Sequence, residues 1–274
     1  MNKTIKNLMA AVVLSMVPAM YAAAQDEWED EGFMSEGLCY VKDANGKFGY
    51  INEDRKLVIP CKWKDAYNFE DGVARVIDDN DKCGLIDKTG KVIVPCKWNA
   101  MMPFSDGLAA VVTDQWKMGY IDKTGKVVIP IKWNSAGNFS EGLAFVVDDN
   151  YKMGYIDTTG KLVIPCQWAT GSDFENGTTT VQDENEKWGI IDKTGKLVVP
   201  CKWNQMLNFK QGLAAVMDAN EKWGFIDTTG KVVIPCTWND AWSFDDDGEA
   251  YVQRADEKWV WIDKTGKVVR IPED

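Results

Sequence analysis

Apolar residues recur along the chain in short runs, separated by turns that carry acids or glycine. Around the middle, residues 108–113 are rich in Val and Ala, residues 117–122 alternate bulky side chains, and residues 127–129 are Val-Val-Ile. Runs of this length, bounded by turn residues, are typical of β-strands. The segment Asp122-Lys123-Thr124-Gly125 separates the second run from the third. We expect it to form a type I turn with a glycine bulge that closes a hairpin.

This pattern returns every 35 residues. The second-strand glycine recurs at Gly49, Gly84, Gly119, Gly154, Gly189 and Gly224. A tryptophan opens each copy, so the copies start at Trp28, Trp63, Trp98, Trp133, Trp168, Trp203 and Trp238. The spacing therefore predicts a single all-β domain over residues 25–274, built from seven tandem 35-residue β-meander units.

The third strand of each copy ends near a proline such as Pro130, and an extended crossover with a tight turn is expected to lead to the next copy. Both faces of the strands carry apolar residues, so each unit needs a neighbour on either side. An open, curved, solenoid-like array and a closed ring resembling a seven-bladed propeller both satisfy this need. The irregular end copies favour the open array, since Val260 replaces the glycine and Arg270 interrupts an apolar strand.

The pairs Trp188-Gly189 and Trp223-Gly224, the run Ile121–Pro130 and the block Phe139–Ala144 resemble the WG-containing repeat family of bacterial proteins. This resemblance covers residues 25–274 in seven copies. It implies a β-rich repeat that is often exported and that has no shared catalytic activity. The resemblance therefore implies no catalytic residues in this chain.

Residues 1–24 have the features of a secretory signal peptide. Lys3 and Lys6 precede a short apolar run, and Ala22-Ala23-Ala24 offers small residues for cleavage before Gln25. We therefore expect export, to the periplasm or as a secreted or cell-envelope protein. The formal net charge is -11, which disfavours nucleic acid as a partner. Once the signal is removed, no membrane insertion is expected.

The cysteine pattern is set by the repeat. Five of the seven cysteines directly follow a proline, and Ile131 fills the same slot in another copy. A position that accepts Cys or Ile is an apolar packing position, so buried free thiols are expected there.

We expect no enzyme activity and no cofactor. The chain has no histidine, which excludes Ser-His-Asp and Cys-His catalysis and the common zinc sites. A hydrolase that uses two carboxylates stays open as a third function, because acids are plentiful. Acidic turns such as 78–81 and 148–150 are weak candidates for calcium, since Asp and Asn are also ordinary turn residues.

Most of the thirteen tryptophans recur and are expected in the core. Trp116, Trp242 and Trp261 are taken as outside the repeat and, with Arg254, are our candidate ligand contacts. The leading function is a non-enzymatic binding or scaffold module for a protein or polymer. The alternative is a glycan-binding protein of the envelope that uses these aromatics.

Overall fold

The computed structural model describes residues 28–272, so the proposed signal segment lies outside the described residues. Every named element in this range is a β-strand, and the strands form seven four-stranded antiparallel sheets. The all-β tandem repeat is thereby confirmed. Over this range the structure contains no helix of the length and hydropathy that a bilayer crossing needs.

The strands follow one another in chain order within each sheet. Their bounds are β1–β4 at Asp30–Glu31, Leu38–Lys42, Phe48–Asn52 and Leu57–Trp63; β5–β8 at Asp65–Ala66, Val73–Ile77, Cys83–Asp87 and Val92–Trp98; β9–β12 at Ala100–Met101, Ala109–Val112, Met118–Ile121 and Val127–Trp133; β13–β16 at Ser135–Ala136, Leu143–Val147, Met153–Asp157 and Leu162–Trp168; β17–β20 at Thr170–Gly171, Thr178–Gln182, Trp188–Asp192 and Leu197–Trp203; β21–β24 at Gln205–Met206, Leu213–Met217, Trp223–Asp227 and Val232–Trp238; and β25–β28 at Asp240–Ala241, Ala250–Gln253, Trp259–Ile262 and Val268–Arg270.

The hairpin between β11 and β12 forms as the sequence predicts. Gly125 has a φ of +81°, and its N–H donates to the Asp122 carbonyl at 2.9 Å. The Asp122 carboxylate accepts hydrogen bonds from the Thr124 hydroxyl and the backbone N–H groups of Thr124 and Lys126. These bonds lower the pKa of Asp122, with the Thr124 hydroxyl as the largest cause. The turn is therefore held by local bonds that each copy can make by itself.

The segment expected to be an extended crossover also contains a strand. β13 is two residues long and pairs with β14. The connection between them ends in a tight turn closed by the Ser140–Leu143 bridge, in which Glu141 and Gly142 have φ values of +53° and +83°. Positive φ at both central residues defines a type I′ turn, which matches the twist of paired strands. Each copy thus contributes four strands, one more than the apolar pattern indicates.

The repeated glycine of the second long strand allows the chain to cross from one sheet to the next. β12 pairs with β11 at Met118↔Trp133 and Tyr120↔Ile129, so residues 130–132 bulge over Gly119 alone. A methyl group on Gly119 would lie 2.7 Å from the Ile129 carbonyl oxygen and 2.8 Å from the Ile131 Cα. Proline suits this bulge, since a bulged residue needs no ladder hydrogen bond.

The cysteines after the prolines lie on the same crossing segment. They are free and half-buried, and each Sγ lies close to the strand glycine, as that of Cys96 does at Gly84. Burial still raises the pKa of the thiols, to about 11 for Cys96 and Cys201. The expectation of free thiols agrees with the structure, whereas the expectation that they are buried is only partly met, because all five are half-buried.

Six hydrophobic clusters each join one sheet to the next. A seventh cluster contains residues of the first sheet, with Trp28 packed against them. Within residues 28–272, no cluster joins the seventh sheet to the first, so the array is open. The tryptophans that end the long strands are core residues, as expected, and Trp63, Trp98, Trp133, Trp168 and Trp203 are 5–7 % exposed.

Candidate functional site

The four candidate residues do not form one cluster. Trp116 belongs to the third copy, whereas Trp242, Arg254 and Trp261 belong to the seventh. Trp116 is 73 % exposed and Trp242 is 63 % exposed. Arg254 lies 3.6 Å from the Asp256 carboxylate in the turn that follows β26. Among the described residues the structure gives no ring contact between any two of the three tryptophans.

Trp261 proves to be a repeat residue of the terminal copy. It occupies the strand position that Tyr155 fills in the fourth copy, shifted by the one-residue insertion. No further sheet packs against it in the described chain. Instead, the Tyr251 ring lies 4.7 Å from it and the Arg270 guanidinium 4.4 Å from it. These contacts cover the outer face of the last sheet, so Trp261 has a packing role there.

Trp242 lies beside a shallow cavity near the start of the last sheet. Gln205, Leu207, Trp223 and Asp240 share the lining of this cavity. The exposed indole and the neighbouring polar groups make it the place where the glycan alternative has its best support.

A further exposed aromatic, Tyr151, is not among the candidate residues that the sequence suggests. It is 77 % exposed and occupies the slot of Trp116 in the next copy, 35 residues later. The other copies carry Gly46, Asp81, Glu186, Glu221 and Glu257 at this slot. Aligning the turns by the repeat would have revealed the pair.

Trp116 and Tyr151 lie at the tips of hairpins between the first and second long strands of their sheets. Both have a φ of +58°, in the left-handed region that is uncommon for bulky residues. The bonds Trp116 N–H to Thr113 carbonyl, at 2.9 Å, and Tyr151 N–H to Asp148 carbonyl, at 3.0 Å, close the two turns.

A lysine links the two turns directly. Lys117 Nζ lies 2.6 Å from both Asn134 Oδ1 and Asp149 Oδ1. Asn134 Nδ2 in turn donates to the Asp148 carbonyl at 2.8 Å. An exposed ion pair contributes little stability by itself, but these bonds fix the spacing of adjacent tips and hold the two aromatic residues on one edge of the array.

We call this edge the turn row; it consists of segments 43–46, 78–81, 113–116, 148–151, 183–186, 218–221 and 254–257. Each segment contains at least one carboxylate. The first carboxylate often folds back on its own turn, as Asp218 does by accepting from the backbone N–H groups of Asn220 and Lys222. Those bonds, with the one from Lys222 as the largest cause, lower the pKa of Asp218. The turn row therefore carries negative charge at neutral pH.

The turn carboxylates do not converge on a common point. In the described part of the chain, no group of three or more Cys, Asp or Glu side chains is arranged to hold a metal ion. The chemistry that this edge offers is aromatic contact and attraction of cations.

The fold and these edges define an open all-β array of tandem repeats. A family model described as WG containing repeat matches the sequence six times, at residues 48–83, 84–115, 118–151, 153–188, 188–223 and 223–259. These matches span most of the sequence, and the chain belongs to that family. No curated protein matches the sequence.

Solved structures give a looser likeness. The computationally designed protein Ika8 is 11% identical with a TM-score of 0.40, over 87% of this chain and 84% of its own. BamB from Moraxella catarrhalis is 12% identical with a TM-score of 0.39, over 85% and 84% of the two chains. Hsv2 from Kluyveromyces lactis is 9% identical with a TM-score of 0.42, over 86% and 95%. Likeness at these scores carries no argument about function.

Proposed function

We propose that the protein is an exported, non-enzymatic binding module, and that its turn row binds a basic segment of a partner protein. The observation that carries this proposal is the pair of exposed aromatic residues, Trp116 and Tyr151, on adjacent acidic tips. Export is supported by the signal-like pattern of residues 1–24. The lack of histidine in the chain supports a function without catalysis.

The exposure of the two rings argues that the aromatic residues serve binding rather than folding. A residue with a side chain pays about 1–2 kcal/mol in the left-handed region, and glycine fits this slot without strain, as Gly46 does. The two rings are also mostly exposed, so packing offsets little of that cost. Asp81, Glu186, Glu221 and Glu257 have the same left-handed backbone at this slot, so the strain belongs to the repeat. The feature that distinguishes Trp116 and Tyr151 is the exposure of a large ring.

The charge around the rings selects the partner. Asp114 and Asp149 beside the aromatic pair are already ion-paired with Lys82 and Lys117, so cations are attracted by the rings and by the excess of acids in the whole chain, whose formal net charge is -11. Indole and phenol rings attract ammonium and guanidinium groups over their faces, while carboxylates provide ion pairs and speed up association. Lysine or arginine side chains of a partner would receive both interactions here.

The proposal is tested by removing the rings without disturbing the turns. The double variant W116G/Y151G should weaken binding of a Lys- and Arg-rich peptide at least tenfold, measured by calorimetry on the chain without residues 1–24. It should keep its fold, with unchanged or higher thermal stability, because glycine relieves the strained backbone. The matched control is E186G, which removes a side chain from the same slot without removing a ring and should bind almost normally.

Two results would overturn the proposal. One is equal binding of the peptide by W116G/Y151G and the unsubstituted chain. The other is equal binding of a Glu-rich peptide of the same length. Glycan-array binding that depends on Trp242, together with no peptide binding, would favour the glycan alternative instead.

A further inference from the structure

Aromatic pairs hold most of the sheet-to-sheet junctions together. Four such pairs have ring centroids 4.9–5.0 Å apart: Tyr50–Phe69, Tyr120–Phe139, Tyr155–Phe174 and Phe225–Phe244. The first ring comes from the second long strand of one copy, and the phenylalanine lies 19 residues later in the next copy. In all four junctions the phenylalanine is at most 3 % exposed.

The tyrosines in these junctions also use their hydroxyl groups. Tyr50 donates to the Tyr67 carbonyl at 2.8 Å, Tyr120 to the Gly137 carbonyl at 2.7 Å, and Tyr155 to the Ser172 carbonyl at 2.7 Å. Each junction of this kind therefore encloses a phenol group whose ring packs on a phenylalanine and whose hydroxyl donates a hydrogen bond.

Two junctions lack the first ring, since Leu85 and Ile190 occupy its position. Their phenylalanines, Phe104 and Phe209, are only partly buried. Between the second and third sheets, Arg75 takes over much of the space. Its guanidinium lies 4.2 Å from the Tyr67 ring and donates to the Met101 carbonyl at 2.6 Å. The cavity that remains there has a volume of about 120 Å³.

Among the described residues, no side chain fills the corresponding space between the fifth and sixth sheets. Thr178 stands where Leu143 lies in the fourth copy, so a second large side chain is missing there. Glu175 stands where Ser140 donates to the Phe174 carbonyl, so that link between copies is missing as well. The result is a cavity of about 380 Å³, about three times the volume of the cavity beside Arg75.

The lining of this cavity, which we call the junction cavity, combines an apolar floor with polar walls. Ile190 and Phe209 form the floor. Thr178 and Thr180 line the wall, where the buried Thr180 hydroxyl bonds to Ser172 Oγ at 3.1 Å. Further polar side chains at the lining are Asp173, Glu175, Asn176, Asn208, Lys210 and Gln211.

We propose that the junction cavity binds a hydroxylated aromatic ring, either a small free phenol or the tyrosine side chain of a partner. Three other junctions of the same molecule hold such a ring at the equivalent place, against the equivalent phenylalanine. The ligand ring would pack on Phe209 and Ile190, while the threonine hydroxyls and the amides of Asn208 and Gln211 offer hydrogen-bond partners to its hydroxyl.

The charges at the lining restrict the ligand further. Asp173 and Glu175 oppose the single cation Lys210. This excess of carboxylates disfavours a phenol that carries a carboxylate or a phosphate. A neutral phenol or one with an ammonium group is the expected class.

The test uses p-cresol as the probe, titrated into the chain without residues 1–24 and followed by NMR. Saturable shifts are expected at amides of the fifth and sixth sheets, and 4-hydroxybenzoate should bind at least tenfold more weakly. The variant I190Y places the repeat tyrosine in the cavity, so it should lose at least tenfold in p-cresol affinity and gain thermal stability. If I190Y fails to fold, T178L narrows the same cavity and should weaken p-cresol binding.

A capped tyrosine peptide provides the second arm. Binding of p-cresol without the peptide identifies a free phenol as the ligand, and binding of the peptide identifies a partner's tyrosine. No saturable binding of either probe overturns the proposal. So does p-cresol binding by I190Y, or by T178L if I190Y fails to fold, that equals the binding by the unsubstituted chain. W116G/Y151G, on the turn row, should bind p-cresol normally, so this site and the proposed function can fail separately.

Discussion

The fourth and fifth junctions of the array share one backbone design, but the fifth lacks the ring, the leucine and the serine link that close the fourth. Between the fourth and fifth sheets, Tyr155 packs on Phe174, which is 1 % exposed. Between the fifth and sixth sheets, Ile190 leaves Phe209 partly uncovered beside a cavity of about 380 Å³. The same slot thus serves as a junction core in one place and as a candidate binding site in the other.

This difference indicates how such an array can carry a site. In a chain of repeats, stability is close to a sum over units and their junctions, so one weak junction does not unfold the others. A cavity in the single core of a globular domain would weaken the whole domain. The open array can therefore leave one junction incomplete while its neighbours remain packed.

Converting the closed junction into an open one should have the largest effect. Y155I removes the ring that packs on Phe174 and the hydroxyl that bonds to the Ser172 carbonyl, at an expected cost of about 2–4 kcal/mol in the free energy of unfolding. Hydrogen exchange, read separately for each sheet, should show faster opening of the fourth and fifth sheets than of the others.

The matched control acts on the junction that is already open. I190V removes one methylene beside the junction cavity and should cost about 1 kcal/mol or less. Equal losses for Y155I and I190V would contradict the view that the aromatic pair is what distinguishes the two junctions.

High pH should destabilise the junctions that contain a buried tyrosine more than the junction that contains Ile190. The effect should be smaller than that of Y155I. Burial raises the pKa of Tyr155 to about 12 and also raises the pKa values of Tyr50 and Tyr120. An unfolded tyrosine ionises near pH 10 (about the reference value). The folded state therefore binds more protons above that pH. The stability that these groups contribute is complete below pH 10 and is lost as the pH rises through about 12.

The expected loss is on the order of 2–3 kcal/mol for each buried tyrosine. It can be measured by chemical denaturation at pH 9 and pH 11.5, with hydrogen exchange to locate the opening. The junction of Ile190 and Phe209 has no tyrosine in this slot, so it should weaken less than the junction of Tyr155 and Phe174. An equal loss at both would show that the tyrosines are not the groups responsible.

The sequence predicts those parts of the fold that are determined within one copy. Asp122 and Gly125 form their turn through bonds within five residues, and the 35-residue period shows that the turn repeats. The short strand β13 was missed, because two residues carry no alternating pattern and pair only once β14 is in place. The open end at the seventh copy was predictable, since the Val260 side chain would block the chain crossing that glycine permits in the other copies.

The sequence predicts only some of the residues of the candidate sites. Trp116 stood out as an irregular aromatic, but its partner Tyr151 required alignment of the turn tips. The junction cavity depends on the contact of Ile190 with a phenylalanine in the next copy, and the sequence does not show that these two positions meet. Thr178–Thr180 was visible as an interruption of the repeat, yet its consequence for volume appears only when the two sheets are packed.

The smallest effect should come from removing a single hydroxyl group, and it should differ between two closed junctions. Y120F removes the Tyr120 hydroxyl, and Gly137 then loses the hydrogen bond to its carbonyl, at a cost of about 1–2 kcal/mol. Y155F should cost less, about 0.5 kcal/mol, because the Thr179 hydroxyl also donates to the Ser172 carbonyl, at 2.7 Å. Chemical denaturation of Y155F, T179V and the double variant should show that the two losses together exceed the sum of the single ones, since only the double variant leaves the carbonyl without a donor. Simple additivity would mean that the two hydroxyls do not share the acceptor.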